Sequence, residues 1–163
     1  MKRTWIALLL LAACGSGPKA GDAGNAQAAA PDTDVTRLLG LYESGPEGQR
    51  SQLCMIGDAP DEAAFGVTVW GANLASCSGS GKAVRQGNSL RLEMAGDQPC
   101  TIEARIEGGK VTLPGQVPQS CSYYCGNAAT LARASFEKTG DTREAALKAT
   151  DLVGEPLCAG LKP

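Results

Sequence analysis

The fold of this chain is constrained most by two hairpin patterns. In each, two segments with strand-like sequence are joined by a turn that contains glycine. Residues 82–85 and 89–94 flank Gly87-Asn88, and residues 101–106 and 110–113 flank Gly108-Gly109. Glycine and asparagine adopt the positive φ of tight hairpin turns at little cost. Within residues 89–94 and 101–106, apolar and polar residues alternate, as in a strand with one buried and one solvated face. The pattern predicts an antiparallel sheet.

Other segments extend this sheet. Further strands are predicted over residues 38–44, 51–56, 65–70 and 130–138, and a helix is the alternative for the last of these. A C-terminal helix is predicted to begin at Asp141, where Glu144 completes a capping box, and to end at Gly154 and Pro156. Its buried face would contain Ala145, Ala149, Leu152 and Val153.

These elements together predict a mainly β domain with a C-terminal α-helix. A small antiparallel β-barrel is favoured over an open sheet because closure removes exposed strand edges.

The N-terminus has the layout of an export signal. Lys2 and Arg3 precede an apolar run that ends at Leu11-Ala12-Ala13-Cys14. A positive start, a short apolar run and small residues at its end are typical of a cleaved leader. The run is too short for a transmembrane helix, which needs about 20 apolar residues.

Leu11-Ala12-Ala13-Cys14 resembles the lipobox of bacterial lipoproteins. The resemblance implies that residues 1–13 are a signal peptide and that Cys14 is acylated, with palmitate among the expected chains. Gly15 stands where some lipoproteins carry an inner-membrane retention aspartate, which favours the outer membrane, facing the periplasm. The alternative is an ordinary secretory signal that leaves Cys14 free.

The rest of the chain divides into a tether and one domain. Residues 14–34 are rich in Gly, Ala, Asp and Pro, and are predicted to be a flexible tether. Residues 35–163 are enough for a single domain. Without Lys2 and Arg3 the chain has 13 basic and 17 acidic residues. The chain is therefore mildly acidic, and its sequence shows no basic stripe of the kind that binds nucleic acid. No nucleic-acid partner is predicted.

Six cysteines beyond Cys14 predict three disulfides. They are Cys54, Cys77, Cys100, Cys121, Cys125 and Cys158. After the leader only six aromatic residues remain to build a core. An exported domain of this kind gains about 2–4 kcal/mol from each disulfide.

The pairing favoured from the sequence is Cys54 with Cys77, Cys100 with Cys121, and Cys125 with Cys158. The middle pair has the best support, because the hairpin at Gly108-Gly109 brings its outer ends together. A Cys121–Cys125 disulfide and a metal site at the same two residues are the alternatives.

No catalytic, cofactor-binding or metal-binding residues are predicted, and the chain is not expected to be an enzyme. It contains no histidine, the usual general base and commonest metal ligand. Gly81-Lys82 does not form a phosphate-binding loop, because Ser76 and Ala83 stand where glycine and a hydroxyl residue are needed.

Residues 76–82 are predicted to be an exposed loop. Ser78-Gly79-Ser80-Gly81 resembles a segment of periplasmic C-type lysozyme inhibitors, which are disulfide-bearing antiparallel barrels that insert a loop into the lysozyme cleft. The resemblance implies partner binding by Ser78, Gly79, Ser80 and Gly81, and Lys82 is added as a donor to an acidic partner. Val84 replaces the tyrosine of that family. A plain hairpin loop is the alternative.

Tyr123-Tyr124 between two cysteines is a further candidate, either as a stacking patch for a ligand or as core packing. The whole pattern predicts a membrane-anchored envelope lipoprotein that acts as a non-catalytic binding module, with an inhibitor-like role as its sharpest form. Its partners would be the membrane through the lipid anchor, and an envelope protein or a cell-wall component. The alternative is a structural or stress-related envelope component without a discrete ligand.

Overall fold

The computed structural model describes residues 36–162. The predicted signal peptide, the lipid attachment at Cys14 and the tether lie outside this range. In chain order the elements are β1 (Gly40–Ser44), β2 (Ser51–Ile56), β3 (Glu62–Trp70), a 3-10 helix (Ala72–Leu74), β4 (Ser76–Gln86), β5 (Ser89–Met94), β6 (Thr101–Glu107), β7 (Lys110–Thr112), a second 3-10 helix (Gln119–Tyr124), β8 (Ser135–Gly140) and α1 (Arg143–Ala146). Within residues 36–162, no helix has the length and apolar character needed to cross a membrane.

The eight strands form a closed antiparallel barrel in sequence order. Each strand pairs with the next, and β8 returns to β1 through pairs such as Tyr42 with Lys138. Both hairpins deduced from their turn residues are present, joining β4 to β5 and β6 to β7. The predicted mainly β fold, with barrel closure, is therefore confirmed.

Side chains fill the interior of the barrel. Along β5 the inward positions are buried while Arg91 is exposed, and β6 repeats this alternation. The large buried side chains of this cluster include Leu53, Met55, Phe65, Leu90, Leu92, Ile102, Ile106 and Phe136. A barrel of eight strands is just wide enough for side chains to fill it, so this is a packed core.

The sequential strand order places the connections alternately at the two ends of the barrel. We call the end with residues 36–39, 57–61, 87–88 and 108–109 the proximal end. The distal end has residues 45–50, 71–75, 95–100 and 113–134.

The described chain enters at the proximal end, where Leu38 is fully buried. The Tyr42 hydroxyl donates to the Leu38 carbonyl over 2.9 Å. Arg85 donates to the Thr36 carbonyl over 2.8 Å, and Lys138 donates to the Arg37 carbonyl over 2.6 Å. Three side chains from three strands therefore hold the entering backbone in place.

The distal end is closed by residues 113–134, which two disulfides attach to the barrel. Cys100 pairs with Cys121, as predicted, and Cys77 pairs with Cys125. The predicted Cys54–Cys77 and Cys125–Cys158 pairs are wrong. Cys77 lies at the distal end of β4, where it forms an antiparallel bridge with Cys125.

The third disulfide, Cys54–Cys158, attaches the C-terminal segment to the outside of the barrel. Cys54 faces outward from β2, so residues 141–162 run across the outer face of β1 to β3 and not into the core. A second buried cluster forms beneath them, made of Leu41, Cys54, Ile56, Ala146, Ala149 and Cys158.

The predicted C-terminal helix is largely wrong. α1 is a single turn, and it is capped by Thr142, whose hydroxyl accepts from the Ala145 amide over 3.1 Å. The Asp151 carboxylate accepts from the amides of Val153 and Glu155, both over 2.9 Å. Such bonds give the backbone an alternative to helix. Val153, expected to be buried, is 81% exposed.

The last strand is also shorter than the predicted segment of residues 130–138. β8 begins at Ser135, and the residues before it form a turn closed by the Ala134 amide and the Leu131 carbonyl at 3.3 Å. Arg133 has a φ of 64° in this turn. The alternation from Ala132 to Phe136 therefore spans a turn and a strand.

Candidate interaction surface

The predicted binding segment, Ser78 to Lys82, is not a loop. It lies in β4, the longest strand, where Ser78 pairs with Thr68 and Lys82 pairs with Ala64. Its glycines permit close approach of neighbouring strands, because a Cβ on Gly81 would collide with the Glu93 carbonyl oxygen. A repeat of serine and glycine has no apolar alternation, so the strand signal was missing from the sequence.

Cys77 and Ala83 of β4 are part of the core, so by the alternation of a strand Ser78, Ser80 and Lys82 lie on the outer face of the wall. The two serines are half-buried, whereas Lys82 is exposed. The Lys82 ammonium pairs with Glu62 at 3.1 Å. An acidic partner of Lys82 would compete with this neighbouring carboxylate. The segment forms a shallow wall surface, not a projecting loop.

The distal end offers a different kind of surface. Residues 113–134 form the longest connection between strands of the described chain. Connections longer than about 12–15 residues are uncommon in compact domains, and many of them are functional. This one contains the 3-10 helix Gln119–Tyr124 and the Cys121 and Cys125 sulfurs. Because those sulfurs are in disulfides, they are not metal ligands.

Hydrogen bonds fix the neighbouring loops to this segment. The Tyr124 hydroxyl donates to the Gln98 carbonyl over 2.7 Å and accepts from the Gly96 amide over 3.0 Å. The Gly126 amide donates to the Ser76 carbonyl over 2.8 Å, next to the Cys77–Cys125 disulfide. The three distal connections 71–75, 95–100 and 113–134 therefore form one braced surface.

Two large apolar side chains project from this surface. Leu74 is 66% exposed and Tyr123 is 58% exposed. Asn73 and Leu74 have φ values of 55° and 60°, a left-handed conformation that leucine rarely adopts. The Tyr123 ring meets Tyr124 edge-on, with the ring centroids 5.2 Å apart. Of these residues only Leu74 combines an unfavourable φ with a large exposed side chain.

The distal end is also poor in charge. No charged residue occurs between Ala63 and Gly81 or between Val111 and Ala132. The charged residues of this end are Asp97, which lies between the two residues whose backbone bonds the Tyr124 hydroxyl, Arg133, and Glu47 and Arg50 in the turn of residues 45–50.

By contrast, the wall formed by β5 to β8 carries ion pairs. They are Arg91–Glu93, Arg91–Glu103, Arg105–Glu107 and Lys110–Glu137. On this wall the hydrogen bond from Arg105 lowers the pKa of Glu107, and the same bond raises the pKa of Arg105. The Arg105 side chain is 69% exposed and the Glu107 side chain 50%, so this pair lies on the surface.

A pocket of about 200 Å³ lies between the second 3-10 helix and residues 129–131. Drug-sized ligands usually occupy about 300–1,000 Å³, so the pocket suits a side chain better than a substrate. Among residues 36–162, no three acidic or cysteine side chains come together to hold a metal ion.

Comparison of the chain with protein-family models finds no match, and comparisons with curated proteins and with solved structures find none either. The structure itself defines the class, a closed eight-stranded antiparallel barrel with three disulfides. The sequence predicts Tyr123-Tyr124 as a candidate site but not Leu74. The uncharged runs in the sequence were the signal that could have drawn attention to it.

Proposed function

We propose that this chain is a lipid-anchored envelope protein that acts as a non-catalytic binding module. The observation that carries the proposal is a filled, closed barrel braced by three disulfides, which offers a partner its outer surface and not an interior cavity. Pre-organised surfaces of this kind lose little conformational freedom on binding.

The anchor belongs to the same proposal. Residues 1–13 act as a signal peptide, Cys14 carries the acyl chains, and the domain faces the periplasm from the outer membrane. One acyl chain binds a membrane only marginally, so stable anchoring takes two or more. The layout of Lys2, Arg3 and the Leu11-to-Cys14 segment supports this assignment.

Intact mass of membrane-extracted protein tests the anchor. We expect the mass of residues 14–163 plus acyl chains, with six hydrogens fewer before reduction than after it. The Cys14→Ser variant should be unacylated and absent from the membrane fraction. An unacylated wild-type protein would disprove the anchor.

The sharpest form of the binding function is inhibition of a C-type lysozyme through Ser78 to Lys82. It can be tested with detergent-purified full-length protein and hen egg-white lysozyme acting on bacterial cell walls. We expect Lys82→Glu to weaken inhibition at least tenfold. Lys110→Glu is the matched control, because Lys110 is similarly exposed (49% against 55%) and pairs with Glu137 as Lys82 pairs with Glu62.

The alternative, a structural envelope component, draws support from the ion-paired wall formed by β5 to β8. It predicts that no variant of the outer surface changes any binding measurement. A wild-type protein that leaves lysozyme fully active would remove the inhibitor form of the proposal while leaving other protein partners to be tested.

A further inference from the structure

We infer that a hollow on the outer face of the barrel binds one neutral sugar ring of a glycan. This Trp70 hollow has a volume of about 270 Å³ and is lined by Gly48, Arg50, Gln52, Trp70, Thr150 and Asp151. The inference rests on the proposed binding function, for which it names a ligand class. None of the lining residues belongs to the Ser78 to Lys82 segment suggested by the sequence.

The hollow forms where two strands of the wall meet the C-terminal segment. Gln52 lies in β2 and Trp70 ends β3. Both face outward, because their neighbours Leu53 and Val69 are part of the core. The C-terminal segment is joined to this wall by the Thr150 amide, which donates to the Gln52 side-chain oxygen over 2.9 Å. Residues that are 98 positions apart in the sequence therefore build one site.

The side chains of the hollow are held in place before any ligand binds. The Gln52 side-chain amide donates to the Glu43 carboxylate over 2.9 Å. The Asp151 Oδ1 accepts from two backbone amides of its own segment. The Cys54–Cys158 disulfide fixes that segment to β2. A site whose groups are ordered in advance loses little conformational entropy on binding.

Polar groups of the hollow have hydrogen-bonding capacity left for a ligand. Within residues 36–162, the Asp151 Oδ2 accepts no hydrogen bond and the Trp70 indole N–H donates none. The Arg50 Nη1 lies 3.6 Å from the Glu43 carboxylate, which is too far for a hydrogen bond. The hollow therefore offers a ligand one acceptor, several donors and an aromatic ring.

The opposite charges at the hollow select against an ionic ligand. Arg50 repels a cation, whereas Glu43 and Asp151 repel an anion. An ion that loses its hydration without gaining a matching counter-charge loses free energy. The ligand that these groups favour is neutral and polar.

A sugar ring meets these requirements. A hydroxyl group both donates and accepts hydrogen bonds, so one ring can donate to Asp151 and accept from Arg50. Its C–H face can lie against the indole of Trp70, the only large apolar side chain in the lining. Drug-sized ligands usually occupy about 300–1,000 Å³, so a hollow of about 270 Å³ accommodates a single ring.

A peptide is a poorer match for this site. An extended peptide usually binds by adding a strand to an exposed sheet edge. All eight strands of the described barrel are paired on both sides, so the wall has no such edge. The main chain of a peptide would therefore lose hydrogen bonds to water and gain few here.

An NMR titration of the ¹⁵N-labelled full-length protein in detergent tests the inference. The probes are three neutral trisaccharides, namely maltotriose, cellotriose and chitotriose, and the neutral tripeptide N-acetyl-trialanine amide is the comparison. The indole N–H signal of Trp70 is assigned by its loss in Trp70→Phe. We expect at least one sugar to shift this signal saturably, with a Kd on the order of 1 mM, and the tripeptide to leave it in place.

Two substitutions in the hollow test which groups bind the sugar. Asp151→Asn removes the Oδ2 acceptor but keeps an oxygen for the two amides, so this variant is expected to fold. Arg50→Gln removes the guanidinium. We expect each to raise the Kd about fivefold, the effect of losing one hydrogen bond. Arg91→Gln is the matched control and should leave the Kd unchanged, because Arg91 is similarly exposed (54% against 44%) and also pairs with a glutamate.

The outcomes separate this inference from the proposed function. No saturable shift with any of the three sugars would overturn the glycan inference and leave the binding function to the lysozyme assay. An equal shift with the tripeptide would overturn sugar as the ligand class. An unchanged Kd in either hollow variant, or an equal loss of affinity in Arg91→Gln, would overturn the Trp70 hollow as the site.

Discussion

Two glycines of the wall show how single residues set the packing of this barrel. Gly81 faces the Glu93 backbone, and Gly66 lies under the C-terminal segment, where a Cβ would come within 2.9 Å of the Leu157 carbonyl oxygen. At Gly81 the nearest obstacle is backbone, and at Gly66 both the Leu157 side chain and its carbonyl oxygen are in the way; backbone cannot rotate away as a side chain can. At these two positions glycine is required because a side chain would have no room, and not because the backbone needs a positive φ.

Gly81→Ala should therefore destabilise the domain by about 1–3 kcal/mol, the usual cost of overpacking. Gly115→Ala is the control, since the nearest atom to its added Cβ is the Arg133 Nε at 4.0 Å. Chemical denaturation of both variants measures the difference. Equal midpoints would show that the β4–β5 pairing can relax around a methyl group.

The Arg105–Glu107 pair gives a prediction for pH. Hydrogen bonding from Arg105 lowers the pKa of Glu107 in the folded state. The pair's contribution to stability is therefore fully present above the pKa that Glu107 has in the unfolded chain, and it is lost as pH falls through the lower pKa of the folded state.

An NMR titration of the Glu107 carboxyl carbon should give a midpoint below that of an unperturbed glutamate. In Arg105→Gln the midpoint should move up, because the guanidinium is absent. The same midpoint in both proteins would mean that the pair does not persist in solution.

Strands whose bounds depend on nearby residues could be predicted well from the sequence, whereas elements that depend on distant contacts could not. β2 and β5 have the predicted bounds because alternation and turn residues lie within a few positions of each other. Residues 76–82 of the Ser76–Gln86 strand were predicted to be a loop, because serine and glycine there show no apolar alternation. Glycine is present because the neighbouring strand leaves no room for a side chain at Gly81. The C-terminal helix failed because the Asp151 side chain satisfies nearby amides itself.

The Tyr124 hydroxyl joins the loop of residues 95–100 to residues 113–134, in addition to the disulfides. Tyr124→Phe removes both bonds to loop 95–100 and should destabilise the domain by about 1–3 kcal/mol, with faster hydrogen exchange at the Gly96 amide. Tyr123→Phe is the control, because that residue is exposed and adjacent. Unchanged exchange at Gly96 in Tyr124→Phe would contradict the bracing described for this end.

For the whole molecule, the three disulfides differ in the length of chain that they close. The separations are 104 residues for Cys54–Cys158, 48 for Cys77–Cys125 and 21 for Cys100–Cys121. The sequence predicted only the last, because a single hairpin determines it. The other two depend on barrel closure and on the path of the C-terminal segment, neither of which has a local signal.

In a chain-entropy model, loops of about 100 and 15 residues contribute roughly 4.7 and 3 kcal/mol to the free energy of unfolding. Removing Cys54–Cys158, which closes the longest loop, should therefore lower stability most. We expect Cys54→Ala with Cys158→Ala to lose more stability than Cys100→Ala with Cys121→Ala. In the first variant hydrogen exchange should accelerate in residues 143–161 while the barrel strands stay protected. Loss of protection throughout the barrel would show that the C-terminal segment is part of the cooperative unit.

The nesting of these links has a consequence for how the protein matures. Numbered along the chain, the first of the six cysteines pairs with the last, the second with the fifth and the third with the fourth. Cysteines oxidised in order of synthesis would instead join Cys54 to Cys77, leaving Cys158 without its partner. The native set therefore forms either by oxidation after the barrel has assembled or by thiol–disulfide exchange that reshuffles mispaired bonds.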